Sequence, residues 1–500
     1  MHSNLQLGTP LLDQLAAHQR SGAHSFHVPG HKSGALLDPA AMDYYKKILS
    51  LDLTEIPGLD DLHHPEEAIQ EAQQLAADCF GAEETFFLVG GSTAGNMAMI
   101  ASSCRRGDLL LVQRDAHKSV LHGLMLAGAQ AVFLTPVWDE ATGLSHGVHP
   151  DTLQEALRRY PQAKGLLITN PSYYGVSRDL APLADLLHKK DKLLLVDEAH
   201  GAHFGFHAEV PSTGLAAGAD AVVQSSHKML TAMTMGAMLH LQGPTINRSA
   251  VKRALAMLQS SSPSYPILGS LDWTRRLMAV SGRERLETVL QAARQFHAYI
   301  QSQTRWTVNA ANPDLGGRQD PLKIVLSDST GGLDGFQLKE RLEEHGIFAE
   351  LADPRNVLLA SGLGTTQEDT TALVAALEHL AEVIQDPPEH RTIQLPVINR
   401  NGWDAVSEPV RLDWEETLYG GAEQIILIPV SACAGYRAAQ MIVPYPPGIP
   451  LLYPGERITR EQSDYLTELA KLRCRFHGHD VSATGTVPVR DELGFFSSLR

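Results

Sequence analysis

Lys228 closes the tetrapeptide Ser225-Ser226-His227-Lys228, which follows the apolar run Ala221–Gln224. An ammonium at the inner end of a buried strand is poorly solvated; condensing it with an aldehyde removes that cost and leaves the neighbouring hydroxyls to bind an anion. Asp197 ends a second such run, Leu193-Leu194-Leu195-Val196-Asp197-Glu198-Ala199-His200. A carboxylate there can pair with a protonated pyridine nitrogen, and the small Ala199 leaves room for a ring face. The turn Gly90-Gly91-Ser92-Thr93-Ala94-Gly95-Asn96 follows a third apolar run and opens a helical pattern. Its glycines let the backbone approach an anion, and Ser92 and Thr93 add hydroxyl donors at a helix amino terminus. In a fourth place, Arg114-Asp115-Ala116-His117, an imidazole is set to stack on a ring and to move a proton. Each segment alone has a plain structural alternative: a turn that starts a helix, a loop histidine, an acidic cap, a surface lysine.

The elements that must position these groups are short apolar runs separated by helix-length amphipathic stretches. The expected strands are Thr85–Val89, Leu109–Val112, Ala131–Thr135, Gly165–Thr169, Leu193–Val196, Ala221–Gln224 and Ala237–His240. Continuous apolar strands spaced in this way predict a mostly parallel, doubly wound α/β sheet, whose ligand lies beyond the carboxyl ends of the strands. All four segments stand at such ends. Their order (phosphate turn, stacking histidine, Asp-x-Ala-His, Ser-x-His-Lys) points to a pyridoxal-phosphate enzyme.

With these segments in place, the sequence resembles the bacterial ornithine, lysine and arginine decarboxylases among the fold type I, aspartate-aminotransferase-like pyridoxal-phosphate enzymes. The resemblance rests on Phe26-His27-Val28-Pro29-Gly30-His31-Lys32, Asp60-Asp61-Leu62-His63, Asp197-Glu198-Ala199-His200-Gly201-Ala202-His203, and Pro444-Tyr445-Pro446-Pro447-Gly448 with Pro454-Gly455-Glu456. It implies that Lys228 carries the cofactor covalently, that Asp197 faces the ring nitrogen and His117 the ring, and that Ala94, Ala199 and His200 line the site. Ser92, Thr93, Ser225 and His227 would surround the phosphate, with Ser261 or Ser262 reaching it from a second subunit of a homodimer. Lys228, His117 and His227 are the candidate proton carriers. The implied reaction is decarboxylation of arginine, lysine or ornithine to an amine of the polyamine pathways, and Glu350, Glu456, Asp60 and Asp61 are candidates for the distal cation. An aminotransferase, with Arg355 near the expected carboxylate clamp, and a scaffold without catalysis are the rival readings.

The resemblance also implies a short form without the receiver-like amino-terminal domain of the larger members. The expected layout is an arm over 1–65, a cofactor-binding large domain over 66–275, a small α+β domain over 276–385 and a carboxy-terminal decarboxylase domain over 386–500. Asp386-Pro387-Pro388-Glu389 is the linker before the last of these. In that last domain, Leu418-Tyr419-Gly420-Gly421-Ala422 and Ser431–Tyr436 depart from the plainer Gly-Arg helix expected there.

Bulk properties agree with a large enzyme. Five hundred residues, 43% hydrophobic, allow several cores, and a net charge of −16 disfavours nucleic acid as a partner. There is no signal-like amino terminus and no long uncharged apolar run, so a cytoplasmic protein off the membrane is expected. Cys79, Cys104, Cys433 and Cys474 form no Cys-x-x-Cys pair, and none of the 23 histidines stands at a specific metal-ligand spacing, so no metal is expected.

Overall fold

A computed structural model of the protein describes residues 5–35, 37–384, 404–415, 425–445, 449–472 and 474–490. The expected linker Asp386–Glu389, the Leu418–Ala422 segment and Pro446–Gly448 lie outside the described residues. In chain order the elements that matter begin with helices α1 (Pro10–Arg20), α2 (Pro39–Leu49) and α3 (Ala68–Phe80), strand β1 (Glu84–Leu88) and helix α4 (Gly91–Ser103). Next come β2 (Leu109–Gln113), α5 (Lys118–Ala127), β3 (Gln130–Leu134), α6 (Pro150–Arg159), β4 (Gly165–Thr169), β5 (Val176–Arg178) and α7 (Ala181–His188). They are followed by β6 (Leu193–Asp197), β7 (Ala221–Gln224), α8 (Ser226–Met229), β8 (Ala237–Leu241), α9 (Arg248–Leu258) and α10 (Tyr265–Gln301). All seven expected strands are present, with ends shifted by a residue at most.

The chain divides into two compact units: Met1–Ser103 with Leu193–Thr288 and Gly362–Gly364, and Cys104–Lys192 with Val289–Ser361 and Thr365–Arg500. In the first unit the strand order is β1-β8-β7-β6. Here β6 and β7 are parallel, with Asp197 opposite Val223, while β8 runs antiparallel to both β7 and β1. The carboxyl ends of β1, β6 and β7 therefore share one end of this sheet. Strands β6, β7 and β8 are wholly buried and almost wholly apolar, as strands covered on both faces require.

The amino-terminal stretch, expected as an arm, is anchored within the first unit. Leu11 and Leu15 of α1 are fully buried, and the segment before them is tied down by a buried ion pair on α10. Arg275 donates to the Gln6 and Gly8 carbonyls and to Asp272, while Asp272 accepts from the Leu11 and Leu12 amides. Both side chains are completely shielded, so removing one partner leaves an uncompensated buried charge. Arg275→Ala is expected to lower the unfolding free energy by about 3–5 kcal/mol, measured by denaturant titration, and to expose residues 5–20 to protease. A shift below about 1 kcal/mol would show that the clamp contributes little.

In the second unit the order is β4-β2-β3 followed by Val406–Arg411, parallel through β3 and antiparallel at the last strand. A separate antiparallel sheet of Leu351–Ala352, Val357–Ala360, Lys323–Asp328 and Trp306–Asn309 packs under Gly335–Glu344 and Gln367–Val383 around Trp306, Leu326 and Leu377. The carboxy-terminal part has its own core, built on helix Arg460–Lys471 with Cys433, Leu452, Leu466 and Val487. The Ser431–Tyr436 segment closes onto that core through Cys433, whose thiol is fully buried.

Candidate active site

The loop after β1 turns through Gly91, whose φ of +70° is open to glycine and costly for other residues, and its amide donates to the Met235 carbonyl at 2.9 Å. Gly95 then lets α4 press against the sheet: a Cβ there would stand 2.5 Å from Val223 Cγ2 and 2.9 Å from Leu88 Cδ1. This approach sets two contacts. Ser92 Oγ meets Ser225 Oγ at 2.8 Å at the amino end of α4, and Asn96 Nδ2 donates to Asp197 Oδ2 at 2.8 Å. Ala94 is buried beside them, whereas Thr93 is exposed.

Asp197 is buried, and besides Asn96 it accepts the Ala199 amide on Oδ1 at 3.1 Å. Lys228 lies on the one-turn helix α8, half-buried, with Nζ 3.1 Å from His200 Nε2. The Asp197 segment and the Lys228 segment thus meet through the imidazole between them. His227 is pinned by Nδ1 to the Gly236 carbonyl at 3.0 Å, which places its proton on Nδ1 and leaves Nε2 an acceptor. Burial, helped by the Lys228 charge, holds its basicity below that of a free histidine against the opposing bond to the Gly236 carbonyl.

Nine of the ten expected cofactor and proton-carrying residues therefore belong to the first unit: Ser92, Thr93, Ala94, Asp197, Ala199, His200, Ser225, His227 and Lys228. His117 belongs to the second, where it caps α5, its Nδ1 accepting the Ser119 amide at 3.2 Å and meeting Ser119 Oγ at 2.8 Å. Ser261 and Ser262 are exposed.

The acidic candidates divide differently. Asp60 accepts from the amides of Glu66, Glu67, Ile69 and Gln70 and so caps α3; burial pushes its carboxyl up, but the amides of Glu66, Glu67, Asp61 and Gln70 together bring it below the usual range. Asp61 accepts from the His63 amide, and Glu350 is exposed. Glu456 is committed to a buried ion pair with Arg114, whose guanidinium also lies 5.5 Å from the centre of the Tyr453 ring and 5.8 Å from that of Phe133. Tyr453 and Phe133 stack at 4.0 Å, and the Tyr453 amide donates to Glu456. Glu456 and Asp60 are thus spent inside the chain. Arg355 donates to the carbonyls of Glu140 and Ala141.

Sequence reasoning gave no role to Asn96, a fully buried amide on an otherwise apolar helix face, and that isolated polarity was its only signal. One histidine-carboxylate group stands apart: His207, Glu209 and Glu287 place a ligand atom each within 4.8 Å of one another. Glu209 donates its amide to His207 Nδ1, so the ring proton is on Nε2, facing Glu287 at 3.1 Å. That is the arrangement of a hydrogen-bonded pair, not of a metal ligand.

The donor set fits pyridoxal phosphate: paired hydroxyls and free amides at a helix amino end for a phosphate, a buried carboxylate for a cationic ring nitrogen, and an amine for an aldehyde carbon. Together with the α/β architecture it defines the fold type I pyridoxal-phosphate class. Comparison with known proteins narrows this. The model of the Orn/Lys/Arg decarboxylase major domain matches residues 9–319, and that of the family's C-terminal domain matches 416–497. The chain is 41% identical to the uncharacterized protein YaaO of Bacillus subtilis over 476 residues, 95% of this chain and 96% of that one. It is 36% identical to the arginine decarboxylase of the same organism, covering 92% and 93%. Lysine decarboxylase A of Pseudomonas aeruginosa superposes with a TM-score of 0.80 at 24% identity, covering 98% of this chain and 81% of that one. The chain belongs to the Orn/Lys/Arg decarboxylase family, and by class it is a decarboxylase.

Proposed function

We propose that this protein binds pyridoxal phosphate through Lys228 and releases carbon dioxide from a basic L-amino acid, arginine before lysine or ornithine. The observation that carries the reading is the meeting of the Asp197 and Lys228 segments at the ends of adjacent parallel strands, with His200 Nε2 against Lys228 Nζ. The order of substrates rests on the relative named as an arginine decarboxylase, which shares more identity with this chain than the lysine enzymes do.

When bound, the cofactor supplies an electron-accepting ring that stabilises the charge left on the substrate α-carbon as carbon dioxide departs. The chain does the rest. Asp197, which accepts from Asn96 and the Ala199 amide, would be the partner of the protonated ring nitrogen. Ser92, Ser225 and the α4 amides that follow Gly91 would hold the phosphate. His200 Nε2 takes the proton that Lys228 Nζ must lose before its amine can attack. His227, fixed with Nε2 as acceptor, is the remaining proton carrier that this unit offers; the role proposed for His117 rests on the family resemblance.

We also assign the protein to homodimers in the cytoplasm, with Ser261 or Ser262 of each subunit serving the other's phosphate. Helix α2 buries none of its residues and exposes Tyr44, Tyr45 and Ile48, and Phe26 before it is almost wholly exposed, an apolar surface of the kind a partner covers. No helix among the described residues is long and apolar enough to cross a membrane.

The test is carbon dioxide release from arginine, lysine and ornithine in turn. The expected result is turnover of arginine at a kcat/KM at least about tenfold above the other two, since a site built for one cationic head group leaves its polar groups unpaired with a shorter one. Stoichiometric keto acid without carbon dioxide would replace the decarboxylase reading with the aminotransferase one.

A further inference from the structure

Beneath Asp197 runs a chain of buried polar groups that the reaction above does not use. Glu198 is completely buried, with Oε2 accepting the Gly214 amide at 2.6 Å and Oε1 2.6 Å from Gln224 Nε2. Gln224 Oε1 stands 3.2 Å from His240 Nε2, and His240 Nδ1 stands 2.8 Å from Thr85 Oγ1. Gln224 and His240 are almost completely shielded from water, as is Thr85, so every link must be satisfied inside the protein.

Such a chain has two self-consistent polarities. In one, Thr85 donates to His240 Nδ1, His240 Nε2 donates to Gln224, and Gln224 donates to an ionised Glu198. In the other, Glu198 carries a proton on Oε1 and donates it to the Gln224 carbonyl oxygen. The amide, turned by half a rotation, then donates to His240 Nε2, and His240 Nδ1 donates to Thr85. The heavy-atom positions serve both, and the Gly214 amide is accepted in either.

We infer that Glu198 is held as the neutral acid, setting the second polarity, and that it acts as a positioning residue which leaves Asp197 the single negative charge at the end of β6. The argument is electrostatic. A wholly buried carboxyl next in sequence to a second buried carboxyl is costly to ionise, and Asp197 has two N–H donors of its own. Glu198 has two as well, but it is wholly shielded and no cation is among the groups that act on it. Burial dominates, Asp197 adds to it, and together they push the Glu198 carboxyl up to about 8 against the pull of its hydrogen bonds. His240, whose basicity burial pushes down to about 3, stays neutral throughout and can only change tautomer. Gly201 and Gly214 approach Glu198 from the loops packed on it, and the same stretch carries the fully buried imidazole of His203.

The role toward Asp197 rests on the function proposed above; the location of the proton does not, and it is read on the protein without reference to cofactor or turnover. In the wild type, nitrogen-15 histidine spectra near neutral pH should show His240 as the Nδ1–H tautomer, reverting to Nε2–H above about 8. Infrared spectra should show one protonated carboxyl band that disappears over the same range and is missing from Glu198→Gln. The sign of the stability effect also follows. A carboxyl raised from 4.5 to about 8 on folding holds an extra proton in the native state between those values. The wild type should therefore lose stability relative to Glu198→Gln as pH rises through that window, by up to about tenfold in the unfolding constant per pH unit, and no further above it. An Nε2–H tautomer in the wild type at neutral pH, or no protonated carboxyl band, overturns the inference even if Glu198→Gln fails to fold.

Discussion

Lys228→Ala is expected to abolish carbon dioxide release, with kcat reduced by about 10⁴-fold or more, because no other group can supply the displaced amine. Covalent attachment should fail with it. Borohydride treatment of the wild type followed by peptide mass analysis should find the cofactor's mass on the peptide containing residue 228 and on no other; the variant should carry none. Ser92, Ser225 and the α4 amides remain in the variant, so phosphate affinity should persist and the cofactor should be removable by dialysis. Lys228→Arg keeps the charge near His200 Nε2 but offers no condensing amine, and it should be equally inactive. Retention of activity within tenfold in either variant, or a trapped adduct elsewhere, would remove Lys228 from the mechanism.

The two segments that meet around His200 were legible in the sequence for a physical reason. A parallel strand buried on both faces reads as an unbroken apolar run, so the first polar residue after it is conspicuous, and in an open α/β sheet that is where the ligand sits. Asp197, Ser225 and Ser92 were found this way. What stayed hidden depends on contacts between distant residues. Glu456 and Arg114 lie 342 positions apart, and nothing local to either foretells that each neutralises the other. Asp60 looked available because four of its five amide donors lie in, or just before, a helix that begins several residues later. The order in the amino-terminal stretch was hidden for the same cause: α1 has only two fully buried leucines, too few for a clear period, and its anchor is on α10. Gln224 and Glu198 each read as the polar end of a strand, and only their approach to His240 and Gly214 turns them into a chain.

Asp197→Asn should separate electrostatics from attachment. The substitution preserves shape and one acceptor for the Asn96 or Ala199 donors, but it removes the carboxylate proposed to pair with the ring nitrogen. Losing one partner of a desolvated, hydrogen-bonded charge pair costs about 2–5 kcal/mol, which at the transition state corresponds to roughly 30- to 5,000-fold in rate. The loss should fall on kcat, since the substrate's own contacts are unchanged. Borohydride trapping at Lys228 should survive, because the amine and its neighbour His200 are untouched, and this divides the phenotype from that of Lys228→Ala. The same substitution relieves the like-charge pressure on Glu198, so its protonated-carboxyl band should vanish at a lower pH than the wild-type value of about 8. The direction is fixed by sign: removing a neighbouring negative charge makes Glu198 easier to ionise, and its transition moves down in pH. Wild-type turnover by Asp197→Asn would mean that the ring nitrogen needs no carboxylate here, and the assignment of the site would have to be rebuilt around a different partner.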